Sequence, residues 1–184
     1  MRRSIKDTLR GLGRLGQAQR DATLERLQAM GLEASAAAAA RMLGLEHDPN
    51  TLEFAPWQVE VLGAIQARIC AYEELELPST QAVGATDASV AFARTMPSHL
   101  RAQLRDVIVL LEAGVIVLGP RRRARRFSAL KPAEQDDYLR GWEQSALVPQ
   151  RAAFFGIKSL CMMGYWTRPQ VWPHIDYTLD TEPT

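Results

Sequence analysis

Apolar residues recur every three or four positions along most of this 184-residue chain, and this spacing limits its fold more than any other feature. The clearest case begins with a first-turn proline, Pro56, and continues through Trp57, Val61, Ile65, Ile69 and Tyr72 on one helix face. No run of alternating apolar and polar residues indicates a strand. The sequence therefore predicts an all-α fold, a compact multi-helix bundle with an irregular C-terminal tail rich in proline and aromatic residues.

The same spacing divides the chain into two predicted domains. Residues 1–50 are predicted to form an N-terminal helical hairpin, with helices from Gln17 to Met30 and from Glu33 to Leu45. Residues 51–184 are predicted to form a second helical domain whose helices begin near Pro56, Asp87, Pro97, Pro132 and Pro149. The β-prone segment 115–118 is interpreted as the end of the helix that begins at Pro97, with a short strand as the alternative.

Charge and composition exclude several classes of protein. The 22 basic and 21 acidic side chains leave a net charge of +1, so no strong overall field draws the chain to nucleic acid or to an anionic membrane. No apolar run reaches the length of a membrane span, and Asp7, Arg10 and Arg14 interrupt the apolar run that a signal peptide would need. We therefore expect a cytoplasmic protein without a membrane span, periplasmic only if a partner carries it.

No residue pattern indicates a catalytic or metal centre in this chain. The three histidines, His47, His99 and His174, lie in different sections of the sequence. The residues on either side of His47 are acidic, but consecutive side chains in a turn diverge instead of converging on an ion. Walker loops, strand-preceded Gly-x-Gly-x-x-Gly motifs and Gly-x-Ser-x-Gly motifs are missing. The prediction is that the chain holds no catalytic, cofactor-binding or metal-binding residues of its own.

Two cysteines, Cys70 and Cys161, lie 91 positions apart and form no Cys-x-x-Cys pair, which argues against zinc ribbons and thioredoxin-like centres. Each lies within an apolar helical pattern, which is typical of a small buried side chain. One disulfide between them is the alternative.

The last third of the chain combines arginine with aromatic residues. The cluster Arg121–Arg126 is open to three interpretations: a solvated linker, a docking site for acidic side chains of a partner, or a nucleic-acid contact. Trp166, Trp172 and Tyr177 lie in or beside the proline-rich tail, where no helix of their own can bury them all. Aromatic residues near arginine are typical of interfaces, so the tail is predicted to pack against this domain or a partner.

A more specific pattern of spaced residues covers about residues 54–178. Its C-terminal part consists of Phe127-Ser128-Ala129-Leu130, Pro132, Leu139, Trp142, Ser145, Arg151, Phe155, Lys158, Leu160, Tyr165, Trp172, Ile175 and Tyr177. Its middle part consists of Pro56-Trp57-Gln58, Leu77-Pro78, Val90, Phe92 and Met96-Pro97 through Glu112. The C-terminal part resembles the N-terminal segment of long-chain fatty alcohol oxidases, and the whole resembles the small third subunit of the gluconate 2-dehydrogenase family. Asp176 stands where these families usually have a glycine before the final tyrosine.

The resemblance implies a non-catalytic accessory subunit in a heteromeric bacterial oxidoreductase complex. Such a chain binds and stabilises a large catalytic subunit of the glucose–methanol–choline type, which acts on the CH–OH group of an alcohol, sugar or steroid. FAD and the catalytic histidine would belong to that large subunit, and a cytochrome c or another electron acceptor would be reached through the complex.

The contact set predicted for the large subunit combines arginine and aromatic residues: Arg121, Arg122, Arg125, Trp142, Arg151, Tyr165, Trp166, Trp172 and Tyr177. For Trp142 and Tyr165 the alternative is that they fill the core of this domain. The alternative function is a free-standing helical interaction or nucleic-acid-binding protein that uses the Arg121–Arg126 cluster.

Overall fold

The computed structural model describes residues 32–48, 50–72, 76–118 and 125–178. Six α-helices lie in these ranges: α1 (Leu32–Leu43), α2 (Pro56–Ile69), α3 (Ala85–Thr95), α4 (Ser98–Leu118), α5 (Pro132–Glu143) and α6 (Val148–Trp166). Two short 3₁₀ helices, Phe127–Ala129 and Trp172–Ile175, precede α5 and follow α6. The described residues contain no strand, so the predicted all-α fold is confirmed. The helix predicted from Gln17 to Met30 lies outside the described residues.

Two helices begin at the prolines that the sequence indicated, Pro56 for α2 and Pro132 for α5. In each, the side chain at the third helical position turns back to accept a hydrogen bond from the residue before the proline. Gln58 Oε1 accepts from the Ala55 N–H at 3.0 Å, and Glu134 Oε2 accepts from the Lys131 N–H at 3.1 Å. These bonds satisfy backbone donors that have no partner within the helix.

The end of α1 differs from its prediction. The helix was expected to continue to Leu45, but it ends at Leu43 because Gly44 adopts a left-handed φ of 63°. The Leu45 N–H then donates to the Ala40 carbonyl at 3.0 Å, and the Gly44 N–H donates to the Arg41 carbonyl at 3.3 Å. This pair of bonds is a Schellman motif, for which glycine is the favoured residue.

The longest helix, α4, lies between two apolar clusters. On one side, Val109 and Ala113 pack against the alanine-rich face of α1 that includes Ala36 and Ala40. On the other side, α4 contributes to the main core, which also takes buried side chains from α2, α3, α5 and α6. The backbone of segment 115–118 is helical, so it is the end of α4, as interpreted, and not the alternative strand. The first described helix, α1, thus packs on α4, which belongs to the second predicted domain.

A buried polar network fixes α6 against α2 and α3. The Gln66 side-chain amide of α2 donates to Ser89 Oγ at 3.0 Å and to the Cys161 carbonyl at 2.8 Å. Ser89 Oγ in turn donates to the Leu160 carbonyl at 3.1 Å. Gly164 of α6 allows α6 to approach α3 this closely, because a Cβ atom at Gly164 would lie 2.0 Å from Ser89 Oγ of α3. The orientation of α6, and hence of its outer face, is set by these contacts.

Both cysteines are buried and have free thiols. Burial raises the pKa of the Cys70 thiol to about 12 and holds the pKa of the Cys161 thiol well above its ordinary value. The prediction of small buried side chains is therefore confirmed, and the alternative disulfide is not formed.

Candidate protein-interaction surface

The outer face of α6 carries an exposed apolar row. Its members are Val148, Ala152, Phe155, Ser159 and Met162, which follow one another at intervals of four, three, four and three residues. We call these five residues the outer row. Val148 is 64% exposed and Phe155 is 70% exposed, whereas Ser159 and Met162 are partly buried. Such large exposed side chains in a line along one helix are the kind of surface that partners cover.

The opposite face of α6 belongs to the main core. Phe154, Ile157, Leu160 and Cys161 are all 4% exposed or less. Helix α6 is therefore apolar on both sides, although a helix at the surface of a globular domain normally has a polar outer face. The outer row is thus an exposed surface with large apolar side chains on a helix whose other face is core.

The charged groups of α6 lie along one edge of the outer row. Arg151 immediately precedes Ala152, and Lys158 immediately precedes Ser159, while α6 contains no aspartate or glutamate. The Arg151 guanidinium donates to the neutral Ser145 carbonyl, and Lys158 Nζ pairs with Glu143 Oε1 of α5 at 2.6 Å. The edge thus presents a cation at Arg151 and a half-exposed ion pair at Lys158.

An aromatic cluster forms at the C-terminal end of α6, where the outer row leads to Trp166. The Trp166 ring contacts the rings of Tyr72 and Tyr165, with centroid distances of 5.7 and 5.2 Å. Tyr165 itself is fully buried, and its hydroxyl donates to the Pro78 carbonyl at 2.6 Å. Tyr72 is 41% exposed, so the apolar surface continues from α6 onto the segment after α2.

The segment after α6 folds back on this cluster. Trp172 Nε1 donates to the Trp166 carbonyl at 2.8 Å, and the Tyr177 ring packs edge-on against Trp172 with centroids 5.5 Å apart. Asp176 makes the turn between them with φ of 53°, a conformation that glycine adopts more readily. In the tail Val171 is buried in the cluster that contains Tyr165, whereas residues 173–178 are exposed, with Tyr177 at 48%.

The residues of the predicted contact set occupy different environments. Arg121 and Arg122 lie outside the described residues, and the Arg125 guanidinium lies 3.8 Å from Glu134 Oε2. Trp142 is 5% exposed within the main core, and Tyr165 is also buried. Arg151 and Tyr177 are exposed, and Arg125, Trp166 and Trp172 are partly exposed, so five described residues of the set reach the surface.

The predicted contact set covers only part of the exposed surface. Val148 and Met163 on α6, and Tyr72 after α2, are exposed apolar residues that were not included in the contact set, and Phe155 entered only as a member of the resemblance pattern. The interval of three and four residues identifies a row but not its side of the helix. Because α6 is apolar on both faces, only the positions of the neighbouring helices decide which row is outside.

A second polar group, centred on His47, holds the connection between α1 and α2 against α4. His47 Nε2 hydrogen-bonds Asp106 Oδ1 at 2.9 Å, with both side chains buried, and the Arg105 guanidinium donates to the carbonyls of Asp48 and Thr51. Burial raises the pKa of Asp106, and His47 acts in the opposite direction. The His47 side chain bonds Asp106, whereas the Asp48 side chain turns to its own loop, where Oδ1 accepts from the Asn50 N–H at 2.9 Å. Within the described ranges, no group of three or more histidine, cysteine, aspartate or glutamate residues is placed to hold a metal ion.

Comparison of the chain with family models, with curated proteins and with solved structures finds no match. Among the described helices, none is long and apolar enough to cross a membrane. The exposed apolar surface of α6 is therefore the candidate functional site of the described residues.

Proposed function

We propose that this chain is a non-catalytic accessory subunit that binds and stabilises the FAD-containing catalytic subunit of a glucose–methanol–choline type dehydrogenase. The large subunit acts on the CH–OH group of an alcohol, sugar or steroid, and it supplies the flavin, the catalytic histidine and the route to an electron acceptor. We also propose that the chain resides in the cytoplasm unless this partner carries it elsewhere. Nucleic acid is not among its partners.

The observation that carries this proposal is the exposure of the outer row on a helix whose other face is core. Burying a side chain such as Phe155 gains about 1.5–3 kcal/mol relative to leaving it in water. Val148 and Met163 add to the same face, since both are more than two-fifths exposed. A partner that covers this face therefore gains binding free energy from burying these apolar side chains.

The pattern that resembles the small-subunit family supports the same proposal from the sequence. It covers about residues 54–178 and includes Phe155, Arg151 and Tyr177, which are exposed. It also includes Trp142 and Tyr165, which are buried in this domain. Residues of both kinds fit an accessory subunit, since some build its body and others face its partner.

An accessory subunit of this kind stabilises its partner by mass action, because binding only the folded form of the catalytic subunit shifts that subunit toward its folded state. In this proposal the chain contributes apolar surface and the cation at Arg151, and no proton or electron transfer takes place on its residues. The apolar surface extends from the outer row through Trp166 to the exposed ring of Tyr177.

Co-expression with the flavoprotein encoded in the neighbouring reading frame tests the proposal. The tagged chain is expected to elute as a yellow complex in which flavin absorbance and both polypeptides keep a fixed ratio through gel filtration. A colourless chain that elutes alone, with the flavoprotein left unbound, contradicts it. Retention of DNA at moderate salt by that colourless chain supports the alternative that uses the Arg121–Arg126 cluster.

A further inference from the structure

We propose that the outer row of α6 seats one amphipathic helix of the catalytic subunit, with acidic side chains along the edge that faces Arg151 and Lys158. This inference rests on the proposed function, and it specifies the part of the partner that the surface recognises. It follows from the spacing, the side-chain sizes and the charges of α6.

The spacing of the outer row fits a helix as its occupant. Intervals of four, three, four and three residues are those of the a and d positions of a heptad, with Ala152 and Ser159 at a, and Val148, Phe155 and Met162 at d. Positions spaced in this way stay in line with a neighbouring helix that crosses at a shallow angle. A strand or an extended peptide has no matching period.

The sizes of the side chains alternate along the row. The large residues Val148, Phe155 and Met162 are separated by the small residues Ala152 and Ser159. Side chains of a partner helix can therefore enter above the small residues while Phe155 packs between them, as knobs enter holes. The row runs over the 15 residues from Val148 to Met162, and the rise between its ends is about 21 Å, or about four helical turns.

The charges of α6 specify the chemistry of the partner helix. In the heptad register Arg151 and Lys158 are both g positions, and the e positions on the other edge are Pro149, Gly156 and Met163. Charges at e and g positions set partner choice through ion pairs across the interface. The Arg151 guanidinium has a neutral carbonyl as its acceptor, and the Lys158–Glu143 pair is half-exposed and contributes little in isolation. Acidic side chains along the facing edge of the partner helix can form ion pairs with both Arg151 and Lys158.

The same charges argue against other occupants. A second copy would place Arg151 and Lys158 against themselves in an antiparallel pair, or against uncharged e positions in a parallel pair. Residues 1–31 of this chain contain seven basic and three acidic residues, so their net charge has the same sign as the edge. A helix that lies on a membrane keeps a charged polar face opposite its apolar face, whereas the opposite face of α6 is core.

A peptide titration with the full chain tests the inference. The probes are two synthetic helices of about 18 residues. Both have leucine at the a and d positions; one has glutamate along one edge, and the other has lysine there. Fluorescence anisotropy is expected to show that the glutamate peptide binds and that the lysine peptide binds at least about tenfold more weakly. Phe155→Glu is expected to abolish binding, whereas Ala67→Glu, at an exposed position of α2, leaves it unchanged.

A charge exchange separates specific recognition from simple apolar association. Arg151→Glu is expected to weaken binding of the glutamate peptide and to strengthen binding of the lysine peptide. Equal affinity for both peptides in every variant overturns the inference. So does a dimer, seen by sedimentation equilibrium, that Phe155→Glu dissociates, and so does binding to anionic phospholipid vesicles that the same substitution abolishes.

The two proposals fail in different experiments. If the yellow complex forms and survives Phe155→Glu, the docking site on α6 is wrong while the proposed function stands. If no flavoprotein is retained but the glutamate peptide binds through Phe155 and Arg151, the proposed partner is wrong while the recognition of an acidic helix stands.

Discussion

Phe154 and Phe155 are adjacent in the sequence but lie in opposite environments on α6. Phe154 is 4% exposed and packs in the main core, whereas Phe155 is 70% exposed. Both side chains have the same chemistry, so their different roles arise from the position of α6 alone. The pair provides a direct comparison of a residue that supports the fold with one that is free for a partner.

Alanine substitution at these two positions is expected to separate stability from interaction. Phe154→Ala should lower the free energy of unfolding by about 3–5 kcal/mol, because it leaves a cavity in the main core. Phe155→Ala should change it by no more than about 0.5 kcal/mol, because the side chain is exposed. Urea denaturation followed by circular dichroism measures both. Similar losses for the two variants would mean that Phe155 is not at the surface.

The close approach of α3 and α6 predicts a strong effect at Gly164. A Cβ atom there would lie 2.0 Å from Ser89 Oγ and 2.6 Å from the Ala85 carbonyl oxygen. Gly164→Ala is therefore expected to lower the free energy of unfolding by about 1–3 kcal/mol. The matched control is Gly141→Ala in α5, where a Cβ atom meets nothing within 4 Å and where alanine should stabilise the helix by about 0.5–1 kcal/mol. Thermal unfolding should show a lower melting temperature for Gly164→Ala and a higher one for Gly141→Ala. An unchanged melting temperature for Gly164→Ala would contradict the close packing of α3 and α6.

The buried thiols predict a loss of stability at alkaline pH. Because burial raises the pKa of Cys70 to about 12, its thiol favours the folded state at pH values below the unfolded-state pKa of 9.0. This contribution is lost as the pH rises from about 9 toward 12, with a slope of about 1.4 kcal/mol per pH unit for one thiol. Urea titrations at several pH values should show a shallower decline for Cys70→Ala than for the native chain. Equal slopes would mean that Cys70 ionises freely in the folded state.

The left-handed turn at Asp176 predicts opposite effects for two substitutions. Asp176 has φ of 53°, which a β-branched residue adopts only with strain. Asp176→Val is expected to lower stability by about 1–2 kcal/mol, while Asp176→Gly should be neutral or slightly stabilising. Trp172 lies at this turn, because the Tyr177 N–H donates to the Trp172 carbonyl at 3.0 Å, and its emission is obtained as the difference between each variant and the same variant with Trp172→Phe. A red shift in both variants would show that the aspartate side chain, and not its backbone conformation, holds the turn.

Local sequence signals predicted the helices better than they predicted the surface. The starts of α2 and α5 were indicated by Pro56 and Pro132, and the structure adds the capping bonds of Gln58 and Glu134, which also act within one turn. The burial of Gln66 and Arg105 could not be predicted, because their partners are distant in sequence; the Gln66 amide reaches the Cys161 carbonyl 95 positions away. The outer face of α6 was missed for the same reason, since a helix with apolar residues on two faces does not reveal which row its neighbours cover.

Gel filtration of the co-expressed complex, with flavin absorbance recorded for the native chain, Phe155→Glu and Ala67→Glu, tests most directly whether the outer row binds the catalytic subunit. The native chain and Ala67→Glu are expected to co-elute with flavin at the same ratio, because neither alters the outer row. Phe155→Glu should elute as a folded, colourless chain separate from the flavoprotein. Co-elution of flavin with Phe155→Glu at the native ratio would contradict the assignment of α6 as the binding surface, and the absence of flavin from all three would contradict the proposed partner.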